Sequence, residues 1–558
     1  MRTKKRIVIV GGVAAGATAA ARARRQDESA EITLIERGKY VSFANCGLPY
    51  RISGDITKRS SLLLQTPEGF YSRYRVRVLV NTEAIAIDRT RKTVQLRGLK
   101  GEESLSYDSL ILATGGSPVV PQIPGVDGAN VFRLWTVPDM DGIHAFIEER
   151  KPESALVIGG GFIGLEAAEA FLKRGLRTSI VELTNHLMPG ADTDFGSLIA
   201  GAFTESGAQV FTGRSVTSLE PESGLALLDD GTRVEAGIVL VSAGVKPNLG
   251  LARDAGLEIG ASGGLVVDQF LRTADPSIWA AGDMIEVERR VDGARVRIPL
   301  AGPANRQGRV AAINALGGSE RYAGALGTSV FKAMDYTFAM TGLSEKAADA
   351  AGFDTGAATV HKGDHAAYFP GAEELSLKLV YDRESNRVLG AQAFGKTGVD
   401  KRIDVVATAI AGRLTLADIA ELDLCYAPPY SSANDPLNVA AFAALNDQSG
   451  YSPLVGPQAA ANLADKDETA ILDVRTYGDF MKGSLPGSIH IPVDELRDRI
   501  SEVPTDRPVI VVSKAGFEGH LAVRQLLQAG FEDVKYVSGG ITSIRLMAEQ
   551  SQTVQASI

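Results

Sequence analysis

Cysteine is nearly absent: the 558 residues contain two, Cys46 and Cys425. That excludes a disulfide framework and a thiolate-rich metal site, so no metal is expected, and it fits a reducing cytoplasm. Long apolar runs are also missing. No stretch reaches the ~18 apolar residues that a bilayer span needs, so no membrane segment is expected. The start MRTKKR is basic, but the run behind it is broken by glycines and then by Arg22, Arg24 and Arg25. A secretory leader needs an uninterrupted apolar region of ~7–15 residues, so none is read here. A surplus of positive charge is lacking too. The formal net charge is −9, which argues against general nucleic-acid binding. The charge is unevenly spread, because residues 1–80 hold fifteen Lys or Arg against six Asp or Glu. That segment reads either as a place for an anionic small ligand or as ordinary surface scatter.

What is present points to several α/β domains. At roughly 100–200 residues per domain, the length predicts three or four. Hydrophobic residues make up 45% of the chain, enough for each domain to bury a core. Sixty glycines, many beside short β-branched runs, suggest the tight βα turns of nucleotide-binding sheets. Residues 6–12, RIVIVGG, read as a buried strand entering a glycine turn. An Ala-rich helix follows, and ITLIER (32–37) is the next strand. The same βαβ pattern recurs at 155–182, and two such units mean two separate nucleotide sites. Residues 235–285 return to strand and turn, ending in IWAAGD. Residues 327–445 mix strand and helix around ELSLKLVYD. The polar, Gly- and Pro-bearing NDQSGYSPLVGP (446–457) reads as a linker. Beyond it, ETAILDVR, GSIHIP, RPVIVVS and DVKYVSGG are the short strands of a small, independent α/β domain.

At the first site, Gly11, Gly12 and Gly16 let backbone approach a pyrophosphate, whose charge is met by a helix N-terminus. Val13 stands where the usual middle glycine would be. Glu36 ends the second strand, where an acid accepts ribose hydroxyls. At the second site, Gly159, Gly161 and Gly164 give the full GxGxxG spacing, and Glu182 ends the following strand. An acid there accepts two ribose hydroxyls and repels a 2′-phosphate, so NADH is expected over NADPH.

Two fingerprints in one chain, with ATGG (113–116) and TADPSIWAAGD (273–283), resemble the two-dinucleotide flavoprotein disulfide reductases. The resemblance implies FAD at the first site, held by Gly11, Gly12, Gly16, Glu36, Arg37, Ala113, Thr114, Gly115, Gly282 and Asp283. Asp283 would bind the ribityl chain. The nicotinamide nucleotide would lie at Gly159, Gly161, Gly164 and Glu182, with Phe162 and Glu166 beside its ring. The implied α/β fold has an FAD-binding domain (1–119 and 245–326) and an NAD(P)H-binding domain (120–244), both Rossmann-like. An α+β dimerisation domain (327–446), a linker (447–457) and a C-terminal α/β domain (458–558) follow. The dimer would be a homodimer with active sites shared across subunits.

Cys46 lies in YVSFANCGLPY (40–50), in a loop ending Gly-Leu-Pro and not in an apolar strand. Its basic segment would favour the thiolate. Classical members of the superfamily carry a CxxxxC pair here, but the second position is Arg51, so no internal disulfide can form. A single cysteine must cycle through a mixed disulfide, a persulfide or a sulfenic acid. SFANCGLPY resembles the single-cysteine branch: coenzyme A-disulfide reductases, NADH-dependent persulfide or polysulfide reductases, and NADH oxidases or peroxidases. Tyr426, in CYAPPYSSANDP, and Tyr368, in HAAYFPG, match tyrosines that in the first group come from the partner subunit and protonate departing thiolate. Arg24, Arg25, Ser42 and Asn45 resemble positions that grip coenzyme A, with Arg73 and Arg309 as further candidates. Tyr74 stands where the family can carry a lysine. Cys425 reads as a small buried residue.

The C-terminal segments resemble a rhodanese domain, a carrier of sulfur as a cysteine persulfide. Its cysteine follows a VIVV-type strand directly, and here that position is Ser513. Glu518 takes the place of a usual arginine. The loop is therefore expected to lack thiosulfate:cyanide sulfurtransferase activity and to keep at most a docking or stabilising role. The resemblance implies an FAD-dependent NAD(P)H reductase of coenzyme A persulfide, polysulfide or coenzyme A disulfide, working through Cys46. The alternatives are an NADH oxidase or peroxidase using a Cys46 sulfenic acid, and a redox-sensing interaction protein.

Overall fold

The computed structural model describes residues 4–464 and 468–555. The chain forms two compact units, Met1–Ile180 with Val216–Gly327, and Val181–Ser215 with Thr328–Ile558. Among the described residues no helix is long and apolar enough to cross a membrane.

The first unit is built on a parallel sheet. Strand β1 (Arg6–Val10) and the Ala-rich helix α1 (Ala14–Gln26) lead into β2 (Glu31–Ile35). The helices α2 (Leu48–Ser53) and α3 (Pro67–Tyr74) precede β3 (Arg77–Leu79). The strand order is Ile278–Ala280, Ser109–Leu112, β1, β2, β3. All four pairings are parallel, with Ile7 opposite Ser109 and Arg6 opposite Glu31. The β-branched run of β1 is buried on both faces from Ile7 to Val10, as a covered parallel strand requires. One cover is α1, whose Ala15, Ala19, Ala20 and Ala23 are buried. Small side chains let α1 lie close to the helix Ala301–Ala315. A Cβ on Gly308 would meet the Ala15 carbonyl oxygen at 2.1 Å. A second parallel set joins Ser154–Ile158, Ile238–Val241 and Val131–Phe132. It carries the second glycine turn.

The second unit holds an antiparallel sheet in the order Ser329–Ala333, Tyr336–Gly342, Val388–Gly395, Glu374–Asp382, Thr355–Gly363. The expected strand ELSLKLVYD is Glu374–Asp382. The helix Thr193–Glu205 belongs to this unit, so the division cuts through the segment 120–244 expected as one nucleotide domain. Its approach is polar: buried Lys378 pairs with Asp194 at 2.9 Å and Asp192 at 3.3 Å. The C-terminal sheet is wholly parallel, in the order Leu454–Val455, Val534–Val537, Val509–Val512, Ala470–Asp473, Ile489–His490.

Two expectations change. The segment 447–457 is not a free linker. Leu454–Val455 is the edge strand of the C-terminal sheet, and the Leu454 amide donates to Asp447 at 2.8 Å. Two apolar residues within a polar stretch pair readily once a sheet edge is offered. Nor is the C-terminal domain independent. His361, on the strand Thr355–Gly363, reaches Ser543 at 2.9 Å, and Thr359 N–H donates to Ser538 at 2.8 Å.

Candidate active site

The residues expected to hold FAD share one edge of the first sheet. Gly11 and Gly12 follow β1, and Glu36 and Arg37 follow β2. Ala113, Thr114 and Gly115 follow Ser109–Leu112, while Gly282 and Asp283 lie just past Ile278–Ala280. All sit at carboxyl ends of neighbouring parallel strands. The order reverses beside β1, and ligands of such sheets bind at that switch point. Gly11 has φ +104°, and a Cβ on it would lie 2.0 Å from the Ala113 carbonyl oxygen. A Cβ on Gly16 would lie 1.8 Å from the Gly11 oxygen. Both are therefore required by the chain's own packing. Glu36 accepts the amides of Gly12 (2.8 Å) and Gly38 (2.7 Å), bracing the turn with the carboxylate expected for ribose. Thr114 donates to the Asn248 carbonyl at 2.8 Å. Arg37 is exposed. The Asp283 carboxylate is half-buried, has no hydrogen-bond partner among the described residues, and is pushed up by burial. An unmatched acceptor at this edge fits a hydroxyl-bearing ligand such as FAD.

The second turn repeats the design. A Cβ on Gly159 would meet the Ser242 oxygen at 2.3 Å, and one on Gly164 the Gly159 oxygen at 2.0 Å. Only Gly161 faces open space, at the N-cap of the helix Phe162–Lys173. A helix N-terminus of this kind is where a dinucleotide's phosphates are met by backbone amides. Glu182 falls in the other unit, where its Oε1 accepts the Thr184 amide and hydroxyl, both at 2.8 Å.

Cys46 sits in a single turn, Asn45–Gly47, that runs straight into α2. It is open to solvent, yet protein closes around its sulfur on other sides. Burial first, then the Glu166 and Asp283 carboxylates, push the thiol above its ordinary value. This corrects the expectation that basic neighbours favour the thiolate. Two of those arginines are engaged elsewhere: Arg6 pairs with Asp108 at 2.8 Å, and Arg59 with Asp141 at 2.6 Å. The groups that act on Cys46 come from distant sequence. Glu166 also accepts a hydrogen bond from Tyr50 at 3.1 Å. Burial raises Glu166 to about 7 against that bond. Sequence reasoning missed Tyr50; its one signal was its place four residues after Cys46, on the helix that Cys46 opens.

Tyr368 and Tyr426 do come together. Their hydroxyls lie 2.9 Å apart although 58 residues separate them, and that bond holds the Tyr368 phenol above its ordinary value. The rings are 75% and 48% exposed in the single chain, so neither is fixed by core packing. Cys425 is exposed beside them, not buried as expected, because its loop lies outside any core.

The expected coenzyme A grip separates. Arg24 is buried and donates to the carbonyls of Tyr74, Asp27, Glu28 and Arg75. It is a structural cation and not a ligand-facing one. Arg309 is ion-paired with Glu320, so its charge is already met. Arg25, Arg73 and Asn45 stay exposed, and Ser42 takes a left-handed φ of 48°. On α1, Thr18, Arg22 and Arg25 share one face by their spacing. Thr18 donates to Asn305 at 2.8 Å, which places Asn305 on the same surface. Helical periodicity could have found Arg22, one turn from both Thr18 and Arg25.

In the C-terminal loop Ser513 is buried, and its hydroxyl accepts the Gly516 amide at 3.0 Å. Glu518 lies in the first turn of the helix Phe517–Gln528, whose N-terminus would otherwise attract an anion. Among the described residues no group of His, Cys, Asp or Glu could hold a metal ion.

The sequence profile of the pyridine nucleotide-disulphide oxidoreductases matches residues 5–308, more than half of the chain. The chain belongs to this family. The family's dimerisation domain matches 328–436, and a rhodanese-like domain matches 456–546. Among curated relatives, the NAD(P)H sulfur oxidoreductase (CoA-dependent) of Pyrococcus abyssi is 35% identical over 79% of this chain and 98% of its own. A coenzyme A disulfide reductase of Staphylococcus aureus is 33% identical over 79% and 99%. The crystal structure of reduced Bacillus anthracis CoADR-RHD is 40% identical, with a TM-score of 0.95 over 98% of this chain and 99% of that one. The α/β architecture with its dimerisation and rhodanese-like domains is thus that of a known arrangement.

Proposed function

We propose that this chain is an FAD-dependent NAD(P)H reductase of coenzyme A persulfide, polysulfide or coenzyme A disulfide, with Cys46 as its redox thiol. The observation that carries the reading is the Tyr368–Tyr426 hydroxyl pair, a proton source built from two remote segments. The curated relatives whose names carry coenzyme A support it further. Bound FAD would accept hydride from the nicotinamide nucleotide and supply the electron pair that reopens a sulfur–sulfur bond.

The chain's own residues do the rest. Cys46 thiolate attacks the coenzyme A sulfur of a persulfide and releases hydrosulfide, leaving a Cys46–coenzyme A mixed disulfide. With Arg51 at the position of a second cysteine, no internal thiol competes for that bond. Tyr368 and Tyr426 hand a proton to the departing sulfur. They do so across the interface of a homodimer, each exposed pair serving the partner's Cys46. Arg22 and Arg25 on α1 are the candidates for the coenzyme A phosphates. Glu182 favours NADH over NADPH. The Ser513 loop transfers no sulfur, since a hydroxyl forms no persulfide. The enzyme works in the cytoplasm. The substitution Cys46→Ser should remove at least about 1,000-fold of the NADH-dependent persulfide reduction, ~4 kcal/mol of transition-state stabilisation, while the yellow flavin stays bound. Wild-type turnover in that variant would defeat the reading.

A further inference from the structure

The family fingerprint does not account for the link between the Cys46 helix and the second nucleotide turn. Tyr50 on α2 donates to Glu166 on the helix Phe162–Lys173 at 3.1 Å. Tyr50 and Glu166 are both half-buried. The surroundings of Glu166 are well defined. Tyr50 faces it from α2 and Glu169 lies one turn along its own helix, while Glu166 in turn acts on Cys46 in the turn that leads into α2. Glu169 is compensated by Lys173 at 2.9 Å, and Lys173 also holds Asp55 of the α2 side at 2.9 Å. Glu166 has no cation of its own among the described residues. Asp283 faces Cys46 as a second carboxylate.

We propose that Glu166 and Cys46 share a single negative charge near neutral pH, and that Tyr50 is the positioning residue that holds Glu166 against the Cys46 helix. Two like charges in a poorly solvated pocket repel, so ionising one opposes ionising the other. Such a pair titrates as a unit, not as two separate groups. The direction of each shift agrees: Cys46 and Glu166 are each raised by burial, and Cys46 next by Glu166. When a Cys46 disulfide opens, the new thiolate is accommodated as Glu166 takes up one proton. When Cys46 is again bonded to sulfur, Glu166 releases it. The electron pair that opens the bond would come from the bound flavin, the second sulfur leaves as a thiolate, and the proton that Glu166 takes up comes from solvent and returns to it. The inference rests on the reading of Cys46 as the redox thiol.

The test reads the thiol directly. The FAD-loaded protein is reduced with NADH, freed of small thiols, and treated with iodoacetamide from pH 5.5 to 9.5. Labelling of the Cys46 peptide is followed by mass spectrometry, which separates it from exposed Cys425. Glu166→Gln should lower the midpoint of Cys46 labelling by about one pH unit, about tenfold faster labelling at pH 7. Glu166→Asp keeps the charge and should keep the wild-type midpoint. Tyr50→Phe removes a bond that favours the carboxylate, so Glu166 holds its proton longer and the Cys46 midpoint falls by a smaller amount. An unchanged midpoint in Glu166→Gln overturns the proposal, as does Glu166→Asp behaving like Gln. Flavin absorbance and thermal melting show whether each variant is folded. Labelling needs no turnover, so its outcome stands apart from the Cys46→Ser test of the reaction itself.

Discussion

Arg24 and Arg25 are adjacent, both guanidinium, and have opposite fates. Arg24 falls four residues after buried Ala20 and shares its face. Its charge is compatible with burial because four carbonyls surround it, two of them from Tyr74 and Arg75. Hydrogen bonds from a charged donor contribute ~1.5–3 kcal/mol each, and losing several strands the acceptors. Arg24→Ala should therefore lower stability by about 3 kcal/mol, seen as a fall in melting temperature. Arg25→Ala should leave the melt unchanged and weaken coenzyme A binding about tenfold by calorimetry, ~1.4 kcal/mol. The reverse pattern would restore Arg24 to the binding face. The buried face was legible in the sequence as a run of alanines at helical spacing. That a charged side chain could join it was not, because two of its four acceptors lie about 50 residues away.

At the scale of elements, the C-terminal loop shows how a local change is absorbed. Ser513 replaces a thiol with a hydroxyl that accepts the Gly516 amide, so the loop is closed by its own hydrogen bond. Glu518 then sets a negative charge in the first helical turn. The intact chain should show no thiosulfate:cyanide sulfurtransferase activity. Ser513→Cys alone should gain little, and adding Glu518→Arg should raise the rate by about tenfold, ~1.4 kcal/mol of barrier, as an anion's approach changes from opposed to favoured. Cyanolysis assayed as thiocyanate checks this, and strong activity in the unmodified chain would refute it. Both substitutions were readable from sequence, since each replaces a residue at a fixed place in a short motif. The edge strand Leu454–Val455 was not readable, because two residues become a strand only when Val534–Val537 offers an edge.

At the scale of the second unit, His361 ties the dimerisation sheet to the C-terminal domain. Its ring contacts Ser376 at 2.8 Å and Ser543 at 2.9 Å, and burial holds it down at about 4, with Lys378 adding to the effect. The unfolded ring titrates near 6.5, so between pH 6.5 and 4 the unfolded chain binds the extra proton. Stability contributed by the neutral ring is complete above pH 6.5 and lost as pH falls toward 4, about 3 kcal/mol in all. Calorimetry of the intact protein should show the melting transition of this unit falling between pH 7.5 and pH 5. His361→Gln should flatten that slope, and an unchanged slope would remove His361 from the account.

The sequence by itself determined the two glycine turns, the strands that flank them, the single cysteine of the 40–50 segment and the serine at position 513. Each is written in adjacent residues, where steric demands such as the 1.8 Å approach at Gly16 leave no substitute. Only the tertiary structure decided which charges act together. It buried Arg24 against backbone carbonyls, joined Tyr50 on the helix after Cys46 to Glu166, and joined Tyr368 to Tyr426. The physical reason is range. Steric and propensity constraints act between neighbours in the chain, whereas burial and electrostatic coupling act between neighbours in space, and only folding makes those the same residues.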